Sequence, residues 1–484
     1  MTADLDAMTG PAYAPEPLDA EDFTALYGKA GTDVDRAEYA ARKLAGRLMY
    51  CEGPGWYAWD GRVWVNDSTR DAVARRKVHE LSAELLRYAA DTQAANGRDA
   101  IEAAQALRSS HRISALLTEL QAMPGIRRSV AELDGPTHLL SFSNGTVDLR
   151  DGAIRPHDPA DLLTRLVDVE YDPDAPAEEW ESFLTSCHPD DPEMPGFLRR
   201  LAGYAITGET REECLAFFYG SGANGKGAFT ETLSHHFADI TTTQDAAFWE
   251  KQRHERNGSL MAKLHGARLV VTGEVKAARM DEAFVKGFTA ADLQTANQKY
   301  KPAYDFRPVS LLIMSGNDKP VIEGTDEGIW RRFRLVPWEE SFADRPDKGL
   351  KPRLKSAQAA PGIAAWAVRG AVEWHAEGLR PHQRISEATN DYREESDPFA
   401  EWAEGAFEAA PDGAVSNKEI EASAKAYGLR GQGRKFSDAV LRHVGGERPA
   451  KAFRHHGRAV RGLRGVRLRE DSAAGRYPNI LAEV

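Results

Sequence analysis

Hydrophobic and polar positions change period several times along the 484-residue chain. From Asp35 through Leu48 apolar residues recur at helical spacing, which predicts an amphipathic helix. Gly55 to Trp64 places aromatic residues on both sides of Asp60-Gly61, the signature of a β-hairpin with a tight turn. Residues 71–122 return to helical spacing, with Val78, Leu81, Leu85 and Tyr88 close to one register. Strand-and-turn segments follow around Leu139–Phe142, Asn144-Gly145 and Val147–Gly152. Helices are expected from about 178 to 214. Three apolar runs of buried-strand length come next: Leu215–Tyr219, Arg268–Glu274 and Val309–Asn317. Strands alternating with helices predict an α/β layer with a largely parallel sheet. Asp344–Pro352 reads as a polar linker, 354–378 as an Ala- and Trp-bearing helix, and the chain from about 390 as a smaller α+β module.

The first strand empties into Gly220-Ser221-Gly222-Ala223-Asn224-Gly225-Lys226-Gly227, and Phe229–Leu233 can continue a helix. A loop of this kind aims backbone N–H groups at phosphate oxygens. Its lysine reaches the terminal phosphates, and the helix dipole favours the anion. The bare spacing arises by chance in on the order of one in ten chains this long, so the strand before it and the helix after it carry the reading. ATP with Mg2+ is the expected cofactor pair. Gly227 stands where a Ser or Thr usually offers a hydroxyl to Mg2+, and Thr230 lies almost one helical turn too far on to replace it.

An NTP-hydrolysing site needs an acid beside this loop to hold Mg2+ or orient water. Glu274, closing the second strand, fits as the Mg2+ residue. Asn317 at the tip of the third strand fits a contact to the γ-phosphate or the attacking water. Arg331 and Arg332 are adjacent, and neighbours on a strand face opposite sides. One of them would then face a nucleotide, as a finger supplied to a neighbouring subunit, while the other pairs locally. Lys299, Tyr300 and Lys301, between the second and third strands, suit a hairpin tip touching a DNA backbone.

Composition narrows the rest. No apolar stretch approaches the roughly 20 residues a bilayer span requires, and the acidic N-terminus lacks the start of a signal peptide. A cytoplasmic protein without membrane association is expected. Cys51, Cys187 and Cys214 are far apart and in no ligand spacing, which argues for buried thiols rather than disulfides or zinc. The net charge is −12, yet Arg430–Arg469 carries twelve Lys/Arg against two acids. These cations are interleaved with Phe436, Val440, Leu441, Phe453, Leu463 and Val466, a pattern of a folded DNA-contacting module rather than a disordered arm.

The order of these motifs resembles the phage and plasmid branch of superfamily 3 helicases, the group of the poxvirus primase–helicase. The matching pieces are Trp56-x-x-Trp59-Asp60-Gly61, Ser143–Gly152, Arg155–Pro159, Tyr171–Ala175, Leu201–Gly208, the loop, and Ile329–Pro337. Asn390–Asp397 looks like the family's approach to a C-terminal winged helix. The resemblance implies a P-loop AAA+-like ATPase core of the α/β class, a mixed α+β N-terminal domain and a winged-helix-like C-terminal module. It divides the chain into an acidic leader (1–33), the N-terminal domain (34–177), the ATPase domain with its leading helices (178–345), a helical lid or linker (346–389) and the basic module (390–484). It further implies a homo-oligomeric ring, usually a hexamer, on single-stranded or forked DNA, translocating 3′ to 5′, with a separate primase or polymerase as partner. By position Lys226 binds phosphate, Glu274 is the Walker B acid, Asn317 is sensor 1, Arg331 or Arg332 is the trans finger, and Lys299–Lys301 match the DNA hairpin. Asn297 stands where the family pattern has an arginine. A replication initiator or loader that binds ATP and DNA but hydrolyses poorly is the alternative, motivated by Gly227; a small-molecule kinase is the third reading.

Overall fold

The computed structural model describes residues 32–469 apart from 67–70, 92–100, 102–104, 106, 255, 298–302, 323–326, 398 and 430–432. All but the last two positions of the expected leader lie outside the described residues. The chain divides into two compact units, residues 1–320 with 328–388, and residues 321–327 with 389–484.

The larger unit begins with α1 (Asp33–Leu44), opened by a capping box between Thr32 and Asp35, which satisfies N–H groups that a first turn leaves unpaired. Strands β1 (Leu48–Cys51), β2 (Gly55–Trp59) and β3 (Trp64–Asn66) form an antiparallel set, with β4 (Arg127–Arg128) parallel to β1. The Asp60-Gly61 hairpin is present as read: Trp59 faces Trp64 across it, and Gly61 has φ +103°. Helices α2 (Ala72–Asp91) and α3 (Ser110–Leu120) cover this sheet, burying Val78, Leu81, Leu85, Leu116 and Leu120. A second four-stranded sheet, β5 (Leu139–Phe142), β6 (Gly145–Asp148), β7 (Ile154–Arg155) and β8 (Leu166–Val167), has the order β7-β6-β5-β8.

Helices α4 (Glu178–Cys187) and α5 (Met194–Thr207) lead into β9 (Leu215–Tyr219) and α6 (Lys226–His236). Then come β10 (Thr241–Thr243), α7 (Gly258–Ala262), β11 (Leu269–Thr272), α8 (Glu282–Thr289), β12 (Gln294–Ala296), β13 (Tyr304–Phe306), β14 (Leu311–Gly316), α9 (Glu327–Trp330) and β15 (Phe333–Pro337). β10, β11, β14, β9 and β15 make one wholly parallel sheet in that order. A parallel sheet must be covered on both faces, and its three central strands, β11, β14 and β9, are accordingly almost uniformly buried. One flank is packed by aromatics: Trp180 stacks on Phe229 and meets Trp366 edge-on, while Phe218 contacts Trp338.

Two expectations on this stretch shift. Within the expected linker, Leu350–Leu354 forms a short helix (α10), because Leu354 has a buried place to go. The long helix α11 (Ala360–Glu377) starts later than 354, with Pro361 in its first turn, where a missing N–H costs nothing. It crosses α5 so closely that a Cβ on Gly203 would stand 2.0 Å from the Gly370 carbonyl carbon.

Arg268, immediately before β11, is 3% exposed and donates to the carbonyls of Thr137 (3.0 Å), Ile206 (2.7 Å) and Leu139 (2.8 Å). Burial lowers its guanidinium to about 10. The three cysteines are free and buried, and burial pushes each thiol up to about 12.

After α12 (Gln383–Glu395), the smaller unit contains α13 (Ala400–Ala406), β16 (Phe407–Ser416), α14 (Asn417–Ala426), α15 (Gly433–His443), the hairpin β17 (Phe453–His455) and β18 (Arg458–Val460), and β19 (Gly462–Leu468). β16 pairs antiparallel with β19, and Trp402, Phe407, Ile420, Phe436 and Leu463 form its core. The basic stretch is therefore folded wherever it is described, and its apolar residues are the reason. Among the described residues no helix is long and apolar enough to cross a membrane.

Candidate functional site

The glycine-rich loop leaves β9 at Gly220, where only glycine fits: a Cβ there would lie 2.1 Å from the Trp338 carbonyl oxygen. Gly222 and Gly225 have φ of +104° and +93°, and Ala223 has +49°. Such values suit glycine and cost a residue with a Cβ of order 1 kcal/mol or more. Crossed links hold the loop in shape. The Asn224 side-chain amide donates to the Trp338 carbonyl (2.9 Å), and the Phe342 N–H donates to the Ala223 carbonyl (2.8 Å). Behind it, a Cβ on Gly225 would fall 2.5 Å from Cys187 Sγ. The segment following β15 thus clamps the loop that follows β9, its neighbour in the sheet.

Lys226 is the first residue of α6 and is only 7% exposed. Its Nζ donates to the Gly220 carbonyl at 2.6 Å and to Asn317 Oδ1 at 3.4 Å. Burial alone lowers its ammonium to about 8, because two neutral oxygens compensate a desolvated cation poorly. Asn317 follows β14, which lies between the strand carrying the loop and the strand leading to Glu274. Glu274 has φ +53°, a left-handed conformation that a glutamate enters at a cost. The loop, Lys226, Glu274 and Asn317 all line one cavity of about 990 Å³. Three strand ends therefore bring a cation, a carboxylate and a carboxamide to one place.

The cavity also receives Arg345, Lys348 and Lys351, from the segment read as a polar linker. Lys351 Nζ is 2.6 Å from Glu231 Oε1, and Arg345 pairs with Glu340. The signal for this wall was present in the sequence as three cations within seven residues, but their spacing matches no element. At Gly227 an added Cβ would come no nearer than 3.4 Å to Glu231 Oε1 and 3.6 Å to Lys351 Nζ, so a side chain is not excluded there by backbone.

Arg331 and Arg332 lie elsewhere. They occupy the turn between α9 and β15, not the strand itself, and this corrects the expectation that they face opposite ways. Both reach Glu213 Oε2, at 3.1 Å and 2.5 Å. Arg332 is buried and also donates to the Gly328 carbonyl at 2.8 Å, whereas the Arg331 side chain is 63% exposed. In the pairing of β15 with β9, Phe333 faces Leu215 and Pro337 faces Tyr219. The arginines therefore sit one strand length, roughly 13 Å, from the sheet end that holds the loop. Lys299, Tyr300 and Lys301 lie outside the described residues. Their flanks β12 and β13 pair antiparallel, Ala296 opposite Tyr304, so the segment joins the arms of a hairpin.

Residues 37–189 match the family described as D5 N terminal like, and residues 218–332 match a family of unknown function. A provisionally named helicase of Acanthamoeba polyphaga mimivirus is 29% identical over 217 residues, covering 43% of this chain and 22% of that protein. One from Invertebrate iridescent virus 6 is 26% identical over 257 residues, covering 48% and 25%. Over these stretches the chain is similar to the superfamily 3 primase–helicases. Another relative, from Frog virus 3, is 24% identical over 265 residues, covering 50% of this chain and 27% of its own. The matched stretches thus span about a quarter of the length of these relatives. Among solved structures, an apo form of the NrS-1 C-terminal region aligns with a TM-score of 0.41 and 14% identity, covering 61% of this chain and 77% of that one.

Proposed function

We propose that this chain is an ATP-driven DNA helicase that works as a ring, with an AAA+-like core and a winged-helix-like C-terminal module. The observation that carries the reading is the convergence of Lys226, Glu274 and Asn317 on one cavity beneath a glycine loop. The donor set fits a triphosphate. A buried ammonium without a carboxylate partner in its hydrogen bonds is matched by anionic oxygens, and the loop's N–H groups and the α6 N-terminus favour the same charge. Glu274 would hold Mg2+, which when bound neutralises charge developing on the phosphoryl oxygens. Asn317, already 3.4 Å from Lys226, would orient the γ-phosphate or the attacking water.

Arg331 supports the ring. Exposed and at the far end of the sheet, it cannot reach its own cavity but can be offered to that of a neighbour. Arg332, committed to Glu213 and Gly328, holds the turn that presents it. The hairpin carrying Lys299, Tyr300 and Lys301 would touch the DNA backbone, and the helix–helix–hairpin order of the smaller unit, with its surplus of cations, would bind duplex flanks.

The test is ATP hydrolysis with and without single-stranded DNA, together with unwinding of a forked duplex. Both should be present and both lost in Lys226→Ala. Hydrolysis that ignores DNA would count against the reading. Gly227 favours a second one, a loader that binds ATP and DNA but turns over slowly for want of a Mg2+ ligand; forked-duplex binding without unwinding would select it.

A further inference from the structure

The tip of the β17–β18 hairpin is made by His456 and Gly457, with φ of +47° and +79°. Two-residue turns of this hand prefer Asn-Gly, Asp-Gly or Gly-Gly, so an imidazole at the first position is held there against local preference. His455, one residue earlier, is mostly buried and faces α14. Its Nε2 lies 3.0 Å and 3.3 Å from the two carboxylate oxygens of Glu419. His456 Nε2 lies 3.8 Å from Glu419 Oε1, too far for a hydrogen bond. Glu419 is itself fixed, because its Oε2 accepts from the Ser416 N–H at 2.6 Å in a capping box that starts α14. This leaves Oε1 directed between the two imidazoles.

We propose that Glu419, His455 and His456 form a site for a divalent transition-metal ion, with Zn2+ the favoured occupant. The three ligand atoms all lie within 4.8 Å of one another. Bond lengths of about 2.0–2.1 Å in a tetrahedron place ligand atoms about 3.3 Å apart, so the gap between His456 and Glu419 must close by about 0.5 Å and no pair of ligand atoms by more than about 1.5 Å. Two imidazoles and one carboxylate suit a borderline ion and leave a fourth position for water. Mg2+ would be rejected, since it demands six hard ligands at octahedral angles. The ion would fasten the hairpin tip to the first turn of α14 and fix the direction of Arg454 and Arg458, which flank the tip. This site is independent of the nucleotide cavity and of the helicase reading.

The test uses the full chain, stripped with a chelator and held in excess Mg2+, titrated with Zn2+ against a chromophoric competitor. Amide exchange over 453–460 is followed in parallel. Wild type is expected to bind one more equivalent than His456→Gly, or to bind at least tenfold more tightly, and Zn2+ should slow exchange of the hairpin only in wild type. His456 is exposed and glycine suits its φ, so the variant keeps its fold. Restoration of the lost equivalent by His456→Cys would add support. Equal Zn2+ binding by wild type and His456→Gly, or binding that leaves hairpin exchange unchanged, would overturn the proposal.

Discussion

Arg331 and Arg332 are neighbours in sequence, share one carboxylate, and should behave oppositely when removed. Arg332→Ala deletes a buried guanidinium and removes its hydrogen bond to the Gly328 carbonyl. Glu213 is 43% exposed and retains Arg331, so the penalty falls below that of an isolated buried pair, at about 1–3 kcal/mol. A change of that size lowers Tm by several degrees, at about 2–4 °C per kcal/mol for a domain of 150–250 residues. Arg331→Ala removes an exposed arm of the same pair and should change stability by no more than about 0.5 kcal/mol. Its effect belongs in turnover instead. An arginine acting on a transferring phosphoryl group contributes on the order of 10^3 or more in kcat, about 4 kcal/mol of barrier. Melting curves and steady-state ATP hydrolysis separate the two variants. The decisive step mixes Arg331→Ala chains with Lys226→Ala chains, each nearly inactive alone. Random assembly makes roughly a quarter of the interfaces from an intact loop on one chain and an intact arginine on the next, so activity should reappear on mixing. Activity no higher than that of the separate parents, or an Arg331→Ala protein with undiminished turnover, would refute the intersubunit pocket.

Other outcomes follow from the same cavity. Lys226 stands near 8 because it is buried, and an anion seated on it raises that value. Binding then takes up protons, and triphosphate affinity should fall as pH climbs from about 8 towards the ordinary lysine value near 10.4; fluorescent-nucleotide titrations across this range should show the decline, and a pH-independent affinity would contradict it. Gly227→Ser should leave the rate of ATP hydrolysis within about twofold if the motor reading holds, since the added side chain meets no backbone; a sharp rise would favour the slow loader. Gly225→Ala should lower Tm by several degrees through both a φ of +93° and a collision with Cys187 Sγ. Adding Cys187→Ala should recover only part of that loss, because the backbone strain remains.

Local signals made much of this legible in advance. The strand, loop and helix around Lys226 are contiguous, and the Asp60-Gly61 hairpin is written in four residues. Glu274 and Asn317 were readable because each closes a long apolar run. What escaped depended on distant partners. β10 is Thr241–Thr243, with no apolar run, and is a strand only because Val270 and its neighbours pair with it. The turn that lets two adjacent arginines point together is set by Glu213, 118 residues from Arg331. Arg345, Lys348 and Lys351 read as linker because nothing in their spacing shows that they close a cavity begun at Gly222. The left-handed backbone of Glu274 leaves no mark in the sequence at all.

Arg268 has a practical consequence for anyone wishing to study the half that carries the glycine-rich loop alone. Two of its three carbonyl acceptors, on Thr137 and Leu139, precede residue 178, so a protein shortened to start there would open the guanidinium to water and lose the two carbonyls that fix its direction. The front third of the chain is in this sense a lid on a charge, and cutting it away also bares the apolar core that Leu140, Phe142 and Val147 share with Trp180 and Leu201, which should yield insoluble material.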